Sequence, residues 1–176
     1  AGNPIERLSE KRSDDGAAQA LGDAEARVML MREGRLWLRV DGEFAGAWLR
    51  PAHAQACGAK LEHAVLLGWH DGKPRLAAPA GADEPPPGVK AIDYRSIYAQ
   101  GLLDRGDLGA LAQGAALLAW HGSHRFCGRC GTKTEMRAGG YKRVCPNCKA
   151  EHFPRTDPVA IMLAVSRDRC LLGRSP

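Results

Sequence analysis

From Arg27 onward the chain alternates between short apolar runs and turn residues, and the runs have strand length. Arg27 to Met31 is one such run. Gly34 marks a turn, and Leu36, Leu38 and Val40 then alternate with Trp37 and Arg39. Asp41-Gly42 is a hairpin signal, with Phe44 to Leu49 as the returning strand. His63 to His70 carries Val65, Leu66, Leu67 and Trp69 in an almost continuous apolar run, so it reads as a buried strand. Asp71-Gly72 turns it into Pro74 to Ala78. Three consecutive prolines, Pro85 to Pro87, put Pro79 to Gly88 outside any ladder or helix, and Val89 to Tyr94 gives one more strand. The period then lengthens. Leu108, Leu111, Ala112, Ala115, Leu118 and Ala119 recur at helical spacing behind a capping Asp107, and this helix runs into His121 and His124. Ahead of Arg27 the pattern is weak. Ala1 to Asp15 scatters Ile5 and Leu8 among charges, Gly16 to Ala26 is mostly Ala, Gly and acid, and both read as a tail or edge segment. Several antiparallel strands followed by a helix predict an α+β domain ending near residue 124.

The next stretch breaks both periods. Cys127 and Cys130 form one C-x2-C pair, and Cys145 and Cys148 form a second, with fourteen residues between the pairs. Zn²⁺ accepts four sulfur ligands tetrahedrally, and each C-x2-C turn aims two of them at one point. Gly128 and Gly131 supply turn chemistry to the first pair, Pro146 and Asn147 to the second, and Gly139-Gly140 fits a hairpin tip between them. The expectation is a zinc ribbon of two knuckles whose closed site supports the fold and does no chemistry. The alternatives are two disulfides or four unrelated thiols; disulfides suit secreted chains, and the start of this one has no secretory pattern. His121 and His124 could substitute as ligands, but a role as helix-end cations or surface groups fits better beside four cysteines. His152 is weighed between packing on the ribbon and touching a substrate. Cys57 and Cys170 are expected to be small buried hydrophobes.

Composition adds little to the fold and something to the chemistry. Of 176 residues 44% are hydrophobic, and no apolar run reaches the length of a membrane span, which predicts a soluble chain with no membrane partner. The net charge of +5 is local: residues 121–155 hold eight Lys and Arg against two Glu, so the rest of the chain is nearly neutral. A zinc tetrathiolate would itself bring about −2, offsetting part of that excess. The remainder suits either a solvated face or phosphate groups. After the ribbon, His152 to Pro158 is a proline-bounded connector, Val159 to Val165 an apolar run of strand length, and Cys170 to Leu172 the start of another strand after a polar turn. Two strands cannot bury both faces by themselves, so the opening of a further domain is expected here.

Phe126 to Thr132 (FCGRCGT), Val144 to Cys148 (VCPNC) and His152 to Ile161 (HFPRTDPVAI) together resemble the NADH pyrophosphatase branch of the Nudix hydrolases. The start AGNP and the approach WHGSHRFC at Trp120 to Cys127 are similar too. This resemblance implies an N-terminal Nudix-like mixed sheet with helices at residues 1–124, a four-cysteine zinc ribbon at 125–153, and the first strands of a catalytic Nudix domain at 154–176. It further implies a homodimer that uses Mg²⁺ or Mn²⁺ to hydrolyse NAD(H) to nicotinamide mononucleotide and AMP, with NAD-capped RNA as a related substrate, in the cytoplasm. It also gives Phe153 a nucleobase to stack on, with packing between ribbon and catalytic domain as the alternative. The family's signature G-x5-E-x7-R-E-x2-E-E-x-G is missing from these 176 residues, and between Cys148 and Pro176 the acids are Glu151, Asp157 and Asp168 alone. Hard divalent cations need several carboxylate oxygens to act on a pyrophosphate, so the polypeptide by itself is expected to bind no catalytic Mg²⁺ or Mn²⁺ and to hydrolyse nothing, the catalytic residues lying beyond Pro176. A basic zinc-ribbon module that holds nucleic acid or a protein, with Arg125, Lys142 and Arg143 on phosphates, is the alternative reading of the residues.

Overall fold

The computed structural model describes residues 2–9, 12–40, 46–155 and 162–173. Five strands form the main sheet: β1 (Arg27–Arg32), β2 (Arg35–Arg39), β3 (Val65–His70), β4 (Lys73–Pro79) and β5 (Val89–Asp93), in the order β3-β4-β1-β2-β5. Two of the turns follow from backbone chemistry. Glu33-Gly34 and Asp71-Gly72 all take positive φ, which matches the right-handed twist of the strands that they join. The sheet is mixed, as the family resemblance implied, but the strand pattern alone had suggested antiparallel pairing throughout. β4 instead runs parallel to β1, with Val28 opposite Leu76 and Leu30 opposite Ala78, while the other three pairs are antiparallel. A parallel neighbour requires a crossover, and residues 50–64, including α2 (Pro51–Ala56), supply it. The turn expected at Asp41-Gly42 lies outside the described residues. Around it Arg39 pairs with Gly46, and Leu49 pairs with Val28 of β1.

Helices cover both faces of the sheet, so strand residues of either parity are buried. Met29, Met31, Leu36, Leu38, Val65 and Leu67 face α3 (Tyr94–Ala99) and α4 (Arg105–Ser123). Val28, Leu30, Trp37, Leu66 and Leu76 face α1 (Gly16–Leu21) and α2. Burying each such side chain is worth about 1.5–3 kcal/mol. Gly16 to Ala26 is therefore no simple tail. Ala17 and Ala20, three residues apart, bury one face of α1 on the sheet. In α4 the cap is Asp104, whose carboxylate accepts from Asp107 N at 2.7 Å; Asp107 lies one turn further in and accepts from Trp48 Nε1 at 2.6 Å. The buried stripe of α4 is Ala110, Leu111, Gly114, Leu117 and Trp120, so Ala112 and Ala119, expected on the apolar face, are exposed. Gly114 sets this phase. A Cβ there would stand 2.8 Å from the Cβ of Ala77 and 2.9 Å from the Cε of Met31, so only glycine lets the helix approach so closely.

β3 is an edge strand, and its outer edge is covered rather than left open. Glu6 exchanges two backbone hydrogen bonds with Trp69, at 2.8 and 3.0 Å. Arg12 donates to the carbonyls of Leu66 and Leu67 at 3.0 and 3.1 Å, and Gln113 Nε2 donates to Leu67 at 2.9 Å. The remaining cover comes from the small sheet of β6 (Glu135–Arg137), β7 (Lys142–Val144) and β8 (Glu151–His152). Its hairpin tip rests on β3. The Tyr141 hydroxyl accepts from Gln113 and lies 3.4 Å from the Leu67 carbonyl, and the Arg12 guanidinium sits 3.4 Å above the Tyr141 ring. Further on, β9 (Val165–Ser166) and β10 (Arg169–Cys170) form a short hairpin about Arg167 at positive φ. Of the apolar run expected there as one strand, Val159 to Val165, residues 159–161 lie outside the described residues, and of the other four only Val165 is in a strand. Cys170 is exposed, contrary to expectation, because nothing among the described residues packs over this hairpin; Cys57 is half-buried, and burial raises its pKa.

Candidate metal centre

Each cysteine pair sits on the same local structure. In the first knuckle Cys127 N donates to Thr132 O at 2.8 Å, and Gly131 N donates to Cys127 O at 2.8 Å. In the second, Cys145 N donates to Ala150 O at 2.9 Å, and Lys149 N donates to Cys145 O at 3.1 Å. The residue four places after the first cysteine takes positive φ in both, +73° at Gly131 and +59° at Lys149. Glycine announced this in the first knuckle. Lysine carries no such signal, so the strain in the second was hidden from sequence reasoning. Backbone amides also point at sulfur: Arg129 N lies 3.4 Å from Cys127 Sγ, and Cys148 N lies 3.5 Å from Cys145 Sγ.

These turns bring all four sulfurs within 4.8 Å of one another. Three separations are 3.4, 3.5 and 3.6 Å, and all six cysteines of the chain are free thiols. Four sulfurs about 2.3 Å from a central zinc would stand roughly 3.8 Å apart at tetrahedral angles, so the donor set fits that ion. Its proton affinities show why a cation suits it. Thr132, through its hydroxyl and its amide, holds Cys130 down to about 5. The Ala150 backbone hydrogen bond lowers Cys148, but desolvation and the neighbouring sulfurs outweigh it and push that thiol up to about 11. Four clustered sulfurs cannot all ionise without a compensating charge, and a dication supplies it.

The histidines lie elsewhere. His121 is not the helix-end cation expected. Its Nε2 is 2.7 Å from the carbonyl of Gly140 and its Nδ1 is 2.9 Å from Arg143 Nη1. A carbonyl only accepts and a guanidinium only donates, so the proton is on Nε2 and the ring is neutral. Burial, the larger cause, together with the Arg143 charge, lowers its pKa to about 4 against the Gly140 bond, which raises it. His124 is exposed at the end of α4 and bonds to Ser123 and the Trp120 carbonyl. His152 lies opposite Arg143 in the ribbon sheet, and its Nε2 is buried with no hydrogen-bond partner among the described residues.

Arg143 is the feature that sequence reasoning misassigned. It is 8% exposed, and its guanidinium donates to Thr134 Oγ1 at 2.7 Å, to the Thr134 carbonyl at 2.8 Å and to His121. Lys142 pairs with Glu151 at 2.9 Å. Of the three cations that the binding-module reading placed on phosphates, only Arg125 is exposed with no side-chain partner among the described residues. Phe153 follows β8 and is 62% exposed, as is Phe126 beside the first knuckle.

A mixed sheet that leads through one long helix into a four-sulfur ribbon defines a zinc-ribbon protein with an N-terminal α+β domain. The chain belongs to the NADH pyrophosphatase family: residues 25–120 match the NADH pyrophosphatase-like rudimentary NUDIX domain, and residues 123–153 match the NADH pyrophosphatase zinc ribbon domain. Among curated relatives, it is 45% identical over 78 residues to the NAD-capped RNA hydrolase NUDT12 of Macaca fascicularis, covering 39% of this chain and 17% of that protein. It is 43% identical over 83 residues to the mitochondrial NAD(P)H pyrophosphatase NUDT13 of Homo sapiens, covering 47% and 23%. It is 32% identical over 143 residues to the NAD-capped RNA hydrolase NudC of Deinococcus radiodurans, covering 81% and 46%. The chain thus spans less than half the length of each. No helix among the described residues is long and apolar enough to cross a membrane.

Proposed function

We propose that Cys127, Cys130, Cys145 and Cys148 hold one structural Zn²⁺, and that this chain is the front portion of a metal-dependent NAD(H) pyrophosphatase. The observation that carries the reading is the convergence of four sulfurs in a segment that matches the zinc ribbon of that family. The reaction is attack of water on the dinucleotide diphosphate, breaking one P–O bond to give nicotinamide mononucleotide and AMP, with NAD-capped RNA as a second substrate class. The relatives' names support both substrates. The organisation that follows is an N-terminal domain at 1–124, the ribbon at 125–153 and the opening of the catalytic domain at 154–176. Within the whole protein Phe153 stacks on a nucleobase, and its exposed ring is available for that contact. A homodimeric assembly and a cytoplasmic setting complete the reading; free thiols throughout the chain suit a reducing compartment.

The residues present do not fit a catalytic Mg²⁺ or Mn²⁺. Among the described residues the four cysteines form the one cluster able to hold a metal, and soft sulfur is the wrong donor for those ions. No step of hydrolysis is therefore assigned to residues of this chain. The test compares NADH cleavage by the 176-residue chain with that by a longer chain carrying the glutamate-rich Nudix signature, following release of nicotinamide mononucleotide. Turnover by the longer chain alone is the expected result. Turnover by the short chain, or by neither when both hold zinc, contradicts the reading. In the active protein Phe153→Ala should raise KM more than it lowers kcat.

A further inference from the structure

A cavity of about 870 Å³ opens between α1, the Leu61–Ala64 turn, the C-terminal end of α4 and the β6–β7 hairpin. That volume is in the range of small-molecule sites, which favour junctions between domains. Leu61, Leu118 and Met136 add apolar surface to its lining, and Arg125 and Lys133 are exposed on the ribbon side. Arg143, nine-tenths buried, also lines it. Its three hydrogen-bond partners are a hydroxyl, a carbonyl and a neutral imidazole, and no carboxylate pairs with it among the described residues. A buried charge without a counter-ion is costly, and the neighbouring charge that acts on it is a second cation, Arg125. The thiolates of the knuckles are negative when zinc-bound, yet none of the hydrogen bonds of Arg143 goes to sulfur. Of the lining acids, Asp14 and Glu135 are engaged by Arg137, while Asp15, which accepts from the neutral Gln19 amide, and Glu62 remain to oppose Lys60, Arg125, Lys133 and Arg143.

We infer that this groove binds a nucleoside monophosphate, with the phosphate between Arg125 and Lys133 over buried Arg143 and the base against Leu61, Leu118 and Met136. The size of the cavity, the apolar part of its lining and a guanidinium with no carboxylate partner among the described residues each answer one part of such a ligand. The inference does not depend on the chain's part in pyrophosphate hydrolysis, since it concerns binding by residues present here.

The experiment is a titration of the zinc-loaded 176-residue chain with AMP, adenosine and inorganic phosphate, followed by amide NMR at low salt. AMP should saturate, shift the amides of Gly122, Arg125, Lys133 and Thr134, and bind about tenfold or more tightly than either part alone. The double variant Arg125→Ala, Lys133→Ala should weaken AMP about tenfold or more. Both side chains are exposed, and an unchanged zinc content will show that the ribbon is intact. Absence of saturation at millimolar AMP, shifts centred on Phe153 instead, equal binding of adenosine, or full affinity in the double variant each overturns the inference. Phosphate binding as tightly as AMP overturns the nucleoside part and with it the proposal.

Discussion

The five-stranded sheet and the ribbon sit in contact, yet different forces hold them. The sheet buries Met29, Leu36, Leu38 and Val65 on one face and Val28, Leu30, Trp37 and Leu76 on the other, every one at 1% exposure or less. The ribbon has strands of three, three and two residues, and its buried side chains are Cys127, Cys145, Thr134 and Arg143. Two of those are proposed metal ligands and two are polar. A segment with so little apolar surface cannot offset the conformational entropy of ordering it, so a metal must contribute what burial does not. The ribbon borrows some order from its neighbour through Tyr141, Gly140 and His121.

The largest effect should come from separating the two forces. Chelating zinc, or replacing Cys145 with Ala, should collapse the ribbon's amide spectrum while the sheet's survives, since structural zinc binding is worth on the order of 10 kcal/mol in small modules. A dispersed ribbon spectrum without metal would erase the distinction. The reverse experiment is Leu36→Ala, which opens a cavity in the sheet far from the knuckles. It should cost about 2–5 kcal/mol in urea unfolding of the sheet and leave zinc stoichiometry unchanged.

A smaller effect is expected where the two regions meet. Gly140 has φ +101°, and a Cβ there would stand 2.6 Å from Val65 Cγ1. Gly140→Ala should cost on the order of 1–3 kcal/mol and move the amides of Leu66, Leu67 and Tyr141 while both regions keep their own folds. The pH dependence at this seam has a definite sign. His121 is lowered to about 4 in the folded chain, below its unfolded value near 6.5. Above the unfolded value both states are neutral there and its contribution is complete. As pH falls from that value towards about 4 the unfolded state takes up the proton first, so stability is lost across this window. His121→Gln should flatten the slope there, which urea midpoints at several pH values will show. Least of all, Lys142→Ala breaks an exposed pair with Glu151 and should barely move any midpoint.

Much of this contrast was legible in the sequence, for reasons that differ by region. The strands β1 to β5 announce themselves because their apolar runs are bounded by Gly34, Gly72 and a proline cluster. The cysteine spacing is equally direct, since few arrangements of sulfur serve any purpose other than a metal or a disulfide. Pairing direction was not legible, because β1 and β4 would show the same residues if they ran antiparallel. The short helices α1, α2 and α3, of six residues each, are too brief for periodicity to emerge, and α1 is further disguised by its alanines. Arg143 looked like a surface cation because charge carries no sign of burial; its neutral partners Thr134 and His121 are nine and twenty-two residues away. Composition did place the positive charge in this part of the chain, though not the groove that it lines.

Zinc K-edge X-ray absorption on the purified chain tests the central claim most directly. One zinc per chain with four sulfur neighbours at about 2.3 Å is the predicted result. Nitrogen in the first coordination shell, from His121, His124 or His152, or a chain that folds its ribbon with no bound zinc, would contradict it.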